Sequence, residues 1–287
     1  GSAIVQERVR PLLLRGYPRA FDVGLYVLVT SLRPLRVWSY ACSLVRFCER
    51  PYPQAPREFN ELPRFVIKEY TPIWRIPLFQ RHLPGCNNSA ACGLRAQMRE
   101  EGLDDGYLWA GLTKMAAALL GGLRPRVLVG LERQRLRSDN VFELFRFDYM
   151  IDAWARPVLT EVNLSPNMVG VSREDTDVKQ RLLANTLTMA RQRFRPTPSL
   201  PMPRGVTCTE GCCRLRPHEG CAPSVPSGCL LPAQMRTLRL AQAEVDVAGD
   251  FSLILPARLA GLGEAAANDE TTRSLDELQA CWMGLVV

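Results

Sequence analysis

Short apolar, β-branched runs and helical-period stretches alternate along the first two thirds of the chain. Leu25-Tyr-Val-Leu-Val-Thr30 and Leu35-Arg-Val-Trp-Ser-Tyr40 read as strands, with Ser31-Leu-Arg-Pro34 as the hairpin loop between them. Residues 51–75 carry several prolines and read as an irregular excursion. From Tyr107 to Leu120, the residues Leu108, Leu112, Met115 and Leu119 fall at the spacing of a buried helix. Two more strand-like runs follow, Phe142–Ile151 and Val158–Asn163. Val178, Leu182, Leu187, Ala190 and Phe194 then recur at helical spacing. This order predicts an α+β or mixed-sheet domain over residues 1–195.

The pattern changes at Arg195. Residues 196–230 form a Pro/Cys-rich linker that begins with the proline-spaced run to Pro203. Residues 231–287 read as a helical segment with two helices. The second starts at a capping box, Ser274-Leu-Asp-Glu277, and carries Leu275, Leu278, Trp282 and Leu285 on one stripe. No internal repeat is visible.

Composition narrows the class. The chain has 287 residues, 47% hydrophobic and 23% charged, which are globular values and exclude wholesale disorder. Its longest apolar run, Met115 to Leu123, is too short to span a bilayer. The chain opens Gly1-Ser2-Ala3 without an initiator Met, so a leader or upstream sequence is left open. The net charge is +7 and the excess is carried by arginine, with lysine only at Lys68, Lys114 and Lys179. That balance suits an acidic partner or simply a slightly basic surface. The cluster Arg124, Arg126, Arg133, Arg135 and Arg137 has the same two readings. No nucleic-acid-binding motif accompanies the charge. His82 and His218 stand in unrelated contexts, so no hydrolase triad can be assembled.

The segment from Phe142 to Pro166 carries the most chemistry. As an antiparallel hairpin with Ala153 to Arg156 as its loop, it sets Asp152 opposite Pro157, Met150 opposite Leu159 and Asp148 opposite Glu161. Asn163 then shares the face of Glu161. The two carboxylates would stand about 4.5–5.5 Å apart, and directly opposed like charges need a reason. A hard divalent cation held by oxygen ligands supplies one. A solvent-facing strand edge, or a register shifted by one residue, is the alternative.

The end of this hairpin, Glu161-Val-Asn163-Leu-Ser165-Pro166, resembles the closing motif of the tubulin tyrosine ligase-like family, ATP-dependent amino-acid ligases on an ATP-grasp fold. Phe21-Asp22 through Ser31, Pro34-Leu-Arg36 and Leu44-Val-Arg46-Phe47 resemble that family's central hairpin, in the same order. Val5-Gln6-Glu7 is similar to its hinge strand, and Asp177-Val-Lys179 through Leu183 to the helix after its metal motif. The resemblance implies an ATP-grasp-like catalytic part followed by a Pro/Cys-rich extension. It implies that Gln6 and Glu7 meet the adenine, that Asp148, Glu161 and Asn163 hold Mg²⁺ beside ATP, and that Arg46 takes the carboxylate of the incoming amino acid. The implied activity is tubulin polyglutamylation, with glutamate and the acidic tubulin tails as partners, at cytoplasmic microtubules or cilia. An inactive member acting as a binding or scaffold protein is the alternative.

Departures from the family pattern support that alternative. Ala20 and Gly24 stand where the family carries a Lys and an Arg, leaving Arg19 or Arg36 as replacements for the missing phosphate clamp. Asn60 and Lys68 match the family's next motif too poorly to carry roles. The resemblance also starts at the hinge strand, so the segment as it stands is expected to bind ATP poorly.

The cysteines divide into groups. Cys42 and Cys48 read as small buried side chains. Cys86 and Cys92 flank a polar loop and suit a disulfide in an oxidising compartment. Cys208, Cys212, Cys213, Cys221 and Cys229, with His218, fit a zinc site, a disulfide set or an unstructured thiol-bearing tail. They keep a lumenal location open.

Overall fold

The computed structural model describes residues 7–138, 141–216, 221, 228–255 and 270–286. Its strands and helices are, in chain order, β1 (Phe21–Leu32), β2 (Leu35–Tyr40), β3 (Leu44–Cys48), β4 (Tyr70–Pro72), α1 (Pro77–Gln80), α2 (Ala90–Glu100), α3 (Asp105–Arg133), β5 (Glu143–Ile151) and β6 (Pro157–Leu164). These are followed by α4 (Arg173–Ala190), β7 (Val206–Thr209), β8 (Cys212–Leu215), α5 (Pro232–Asp246), β9 (Phe251–Leu255) and α6 (Glu270–Val286). The result is a mixed α/β fold with antiparallel strand pairing, as the α+β reading expects. Residues 51–75 are irregular, with short 3₁₀ turns and the three-residue β4.

Contacts divide the chain into two compact units, each drawn from three segments. The first comprises Gly1–Tyr26, Ala41–Met115 and Phe145–Lys179. In it, β1 pairs with β3 in the register Phe21↔Phe47, Asp22↔Arg46, Val23↔Val45, Gly24↔Leu44. β3 pairs with β4 on one side, and the β5–β6 hairpin joins β1 on the other. One side of these strands is held by aromatics: Phe47 packs against Phe21 at 5.0 Å, and against Tyr17 and Phe79 at 5.4 Å. Each fully buried ring is worth roughly 1.5–3 kcal/mol, which fixes the strands whose other face carries the polar cluster described below. Ser89 caps α2 by accepting from the Cys92 N–H, and the Cys86–Cys92 disulfide closes the loop before it.

The second unit comprises Val27–Tyr40, Ala116–Leu144 and Gln180–Val287. Here β1 pairs with β2, and β2 with β9, Val37↔Leu255 to Tyr40↔Phe251. The strand β9 was not anticipated: residues 231–287 carry it between α5 and α6. Helices α5 and α6 bury Leu238, Ala241, Leu278 and Trp282 together. β7 and β8 form a hairpin inside the expected linker, and three disulfides tie this region down: Cys208–Cys213, Cys212–Cys229 and Cys221–Cys281. The zinc reading therefore fails for these cysteines, whose sulfurs are all consumed in disulfides, Cys221 with Cys281 and the others among themselves; His218 lies outside the described residues. Cys42 and Cys48 are free and buried, as expected.

α3 runs to Arg133, well past Leu120, through Gly121, Gly122 and Pro125. Arg124 on this helix does not belong to a solvated basic face. It is buried, donating Nε to the Leu32 carbonyl at 2.8 Å and Nη1 to Asp276 at 2.6 Å. Arg126, Arg133, Arg135 and Arg137 are exposed. Among the described residues no helix is long and apolar enough to cross a membrane.

Candidate active site

The four neighbouring strands β3, β1, β5 and β6 of the first unit bring six polar side chains together. Asp22 and Arg46 oppose each other across β1 and β3. Arg46 donates Nε and Nη2 to the two Asp22 oxygens at 2.9 and 2.5 Å, and Nη2 also to Asp148 Oδ2 at 3.0 Å. On β5, Arg146 lies two residues before Asp148 and therefore on the same face. It grips Asp148 bidentately, Nε to Oδ1 at 2.6 Å and Nη2 to Oδ2 at 2.7 Å. On β6, Asn163 Nδ2 donates to Asp148 Oδ2 at 3.2 Å and to Glu161 Oε1 at 3.0 Å.

The hairpin register places Asp148 opposite Glu161 and Arg146 opposite Asn163, as the sequence reading expects at those positions. Nearer the turn that reading is one residue out. Ile151, not Asp152, opposes Pro157, and Met150 opposes Val158. A bulge at Thr160, whose hydroxyl donates to the Asp148 carbonyl at 2.7 Å, absorbs the difference. Asp152 is instead a loop anchor, accepting from the Trp154 and Arg156 N–H groups at 2.9 and 2.8 Å and from Arg156 Nε at 2.8 Å.

Burial and charge pull the carboxyls in different directions. Burial pushes Asp22 up to about 6, outweighing its hydrogen bonds from Arg46. Burial also opposes the charge on Asp148, but the Arg146 and Arg46 guanidiniums outweigh it and hold that carboxyl below its ordinary value. The hydrogen bond to Asp148 raises Arg146 in turn. Tyr26, on β1, keeps a buried hydroxyl without a hydrogen-bond partner, and burial pushes it up to about 12.

The donor set can be tested against a divalent ion. A carboxylate offers roughly four acceptor sites. Asp148 already receives four donors, two from Arg146, one from Arg46 and one from Asn163. Arg146 Nη2 also lies 3.9 Å from Glu161 Oε1, between the two carboxylates. As these side chains stand, they do not fit an ion bridging Asp148 and Glu161.

The remaining expected residues lie elsewhere. Glu7 is exposed, in irregular backbone rather than a strand, and Gln6 lies outside the described residues. Neither expected replacement for the missing clamp reaches the cluster. Arg19 donates to the Cys48 and Glu49 carbonyls, and Arg36 is bound to Glu244 within the second unit. Two members of the cluster received no role from the sequence, Asp22 and Arg146. The alternation Arg146-x-Asp148 opposite a glycine-bearing strand was the available clue to the second.

Comparison with known proteins bears on these residues directly. The sequence profile described as "Tubulin-tyrosine ligase family" matches residues 1–65 and 128–199, which include all six members of the cluster. A probable tubulin polyglutamylase of Caenorhabditis elegans, ttll-15, is 29% identical over 192 residues, covering 66% of this chain and 36% of the relative. The human tubulin monoglutamylase TTLL4 is 25% identical over 193 residues, 63% of this chain and 16% of the relative. The zebrafish (Danio rerio) tubulin polyglutamylase ttll6 is 28% identical over 183 residues, 63% of this chain and 23% of the relative. The chain thus spans little more than a third, or less, of the length of these curated relatives. Among solved structures, the C-terminal domain of K. lactis Pby1, described as an ATP-grasp enzyme interacting with the mRNA decapping enzyme Dcp2, aligns at 18% identity with a TM-score of 0.38, over 65% of this chain and 47% of that one. Over residues 1–65 and 128–199, a little under half of its length, the chain is similar to the tubulin-tyrosine ligase family.

Proposed function

We propose that this chain is part of the catalytic region of an ATP-dependent amide ligase that joins glutamate to an acidic protein chain, tubulin by analogy with its relatives. The observation that carries this reading is the Asp22–Arg46–Asp148 cluster, which lies wholly within the residues that match the family. In the reaction, ATP transfers its γ-phosphoryl group to a carboxylate and ADP leaves. The amine then attacks the acyl-phosphate, an amide forms, and phosphate and a proton depart. Such chemistry asks the protein mainly for positioning and charge.

Arg46 is the residue for the carboxylate of the incoming amino acid. Asp22 orients its guanidinium through Nε and Nη2, which leaves Nη1 to meet the substrate. The side chains that the resemblance assigns to magnesium, Asp148, Glu161 and Asn163, are occupied by guanidinium and amide contacts, so no step is routed through a metal. The test is transfer of radiolabelled glutamate to microtubules by the complete natural protein, alongside Arg46→Gln. ATP-dependent labelling that falls at least ~100-fold in the variant is the expected result. No labelling by folded wild-type protein overturns the reading.

A second reading is favoured by the cysteines. Eight of them form four disulfides, a pattern of oxidising compartments and rare in the cytosol. Under this reading the family fold acts on, or binds, an acidic protein of the secretory pathway, and the cytoplasmic location suggested by tubulin-modifying relatives does not apply. Mass mapping of the native protein under non-reducing conditions separates the two. Four intact bridges with only Cys42 and Cys48 alkylated support the secretory location, and ten alkylatable thiols support the cytosol.

A further inference from the structure

We propose that Arg146 is the resident cation of the carboxylate cluster, holding the place that a divalent ion bridging Asp148 and Glu161 would take. The inference concerns the site of the ligase reading, but it stands on geometry that does not depend on that reading.

Three observations carry it. First, Arg146 occupies both oxygens of Asp148: with Arg46 and Asn163 it brings the donors on this carboxylate to four, three on Oδ2 and one on Oδ1. A divalent ion bound to Asp148 would have to displace this guanidinium from at least one oxygen, and the two cations would repel each other. Second, the position is central. Arg146 contacts Asp148 directly and reaches within 3.9 Å of Glu161. The cluster then sets three carboxylates against the guanidiniums of Arg46 and Arg146, so opposed like charges are compensated without an ion.

Third, the fold makes room for this side chain. A Cβ on Gly24 would stand 3.1 Å from Arg146 Cδ, 3.1 Å from Asp148 Oδ1 and 3.3 Å from Leu44 Cβ. These distances are tighter than ordinary carbon contacts, so the bare backbone of β1 at Gly24 is what lets the Arg146 stem lie against the strand. The cation that the β1 motif lacks at position 24 is thus supplied from β5. Arg146 acts through Asp148, which makes it a positioning residue: it fixes the carboxylate that in turn holds Arg46.

The test is Mn²⁺ titration of the complete protein without nucleotide, followed by electron paramagnetic resonance. Wild type, Glu161→Gln, Arg146→Gly, Arg146→Lys and the double variant Arg146→Gly/Glu161→Gln are compared, with folding checked by circular dichroism. The wild type and Glu161→Gln should titrate identically. Arg146→Gly should gain a site about tenfold or more tighter, which the added Glu161→Gln removes and which Arg146→Lys, keeping the charge, does not show. A wild-type Mn²⁺ site lost in Glu161→Gln overturns the proposal. So does a folded Arg146→Gly protein with no new site. Because Glu161 is exposed, its variant reports even where Arg146→Gly fails to fold. Glutamate transfer is read separately, so a failed ligase assay leaves this outcome unaffected.

Discussion

Replacing Arg36 by alanine tests whether this guanidinium is structural or a phosphate clamp, the role open to it from its place in the family-like motif. In the second unit it donates Nε and Nη2 to Glu244 at 2.9 and 3.0 Å, and Nη1 to Gln279 Oε1 at 3.0 Å. Glu244 is 1% exposed and, among the described residues, also accepts from the Thr30 hydroxyl at 2.7 Å, which itself receives Trp38 Nε1 at 3.1 Å. Gln279 turns its carbonyl to Arg36 and leaves its own amide nitrogen without a partner. Truncating Arg36 strands a carboxylate in this enclosure. Removing one member of a buried pair costs about 3–5 kcal/mol. At about 2–4 °C per kcal/mol for a chain of this size, melting should fall by about 6–20 °C. Removing both charges, in Arg36→Met/Glu244→Leu, should recover part of that loss: no charge is left unpaired, although the buried Gln279 carbonyl and Thr30 hydroxyl lose these partners. Differential scanning calorimetry reads all three proteins. A single variant that melts within about 3 °C of wild type while losing nucleotide binding would refute the structural assignment and return Arg36 to the clamp.

Other consequences follow from particular contacts. Gly24→Ala places a methyl group 3.1 Å from the Arg146 stem and should lower urea stability by about 1–3 kcal/mol; an unchanged midpoint means Arg146 does not lie there. Asp152→Ala removes three hydrogen bonds from the β5–β6 loop and should cost about 1–2 kcal/mol at pH 7. Burial opposes the Asp152 charge, but the Arg156 and Trp154 hydrogen bonds prevail and hold its folded pKa below the ordinary value. On acidification the unfolded chain therefore takes up the proton first. This contribution is complete above about pH 4 and disappears as the pH falls through the folded pKa, so the gap between wild type and variant should close in urea melts at low pH. Reducing the disulfides should destabilise the second unit: the Cys221–Cys281 bridge spans a sequence separation of 60, worth about 4 kcal/mol in chain entropy, and melting with and without dithiothreitol measures it.

What the sequence made legible follows from locality. The β1–β2 hairpin and the Asp148↔Glu161 pairing rest on period-2 alternation and a short loop, and both were readable. The turn itself was one residue out because a bulge at Thr160 resets the register, and nothing in alternation marks where an extra residue is absorbed. β9 escaped because its partner β2 lies more than 200 residues earlier, where no local pattern announces the pairing. Arg36, Arg124 and Arg146 were harder still. An arginine reads as surface until a buried carboxylate or carbonyl is placed beside it, and Glu244, Asp276 and the vacancy at Gly24 become its neighbours only in the fold. The candidate cluster was partly visible for the same reason: the resemblance gave roles to Arg46, Asp148, Glu161 and Asn163, whereas Asp22 and Arg146 join them only through the geometry.

The ligase account stands most directly on nucleotide binding. Calorimetric titration of ATP into the complete natural protein, folded and with its disulfides intact, should give saturable one-to-one binding. A folded protein that takes up no ATP would contradict the account and leave the cluster as a retained scaffold.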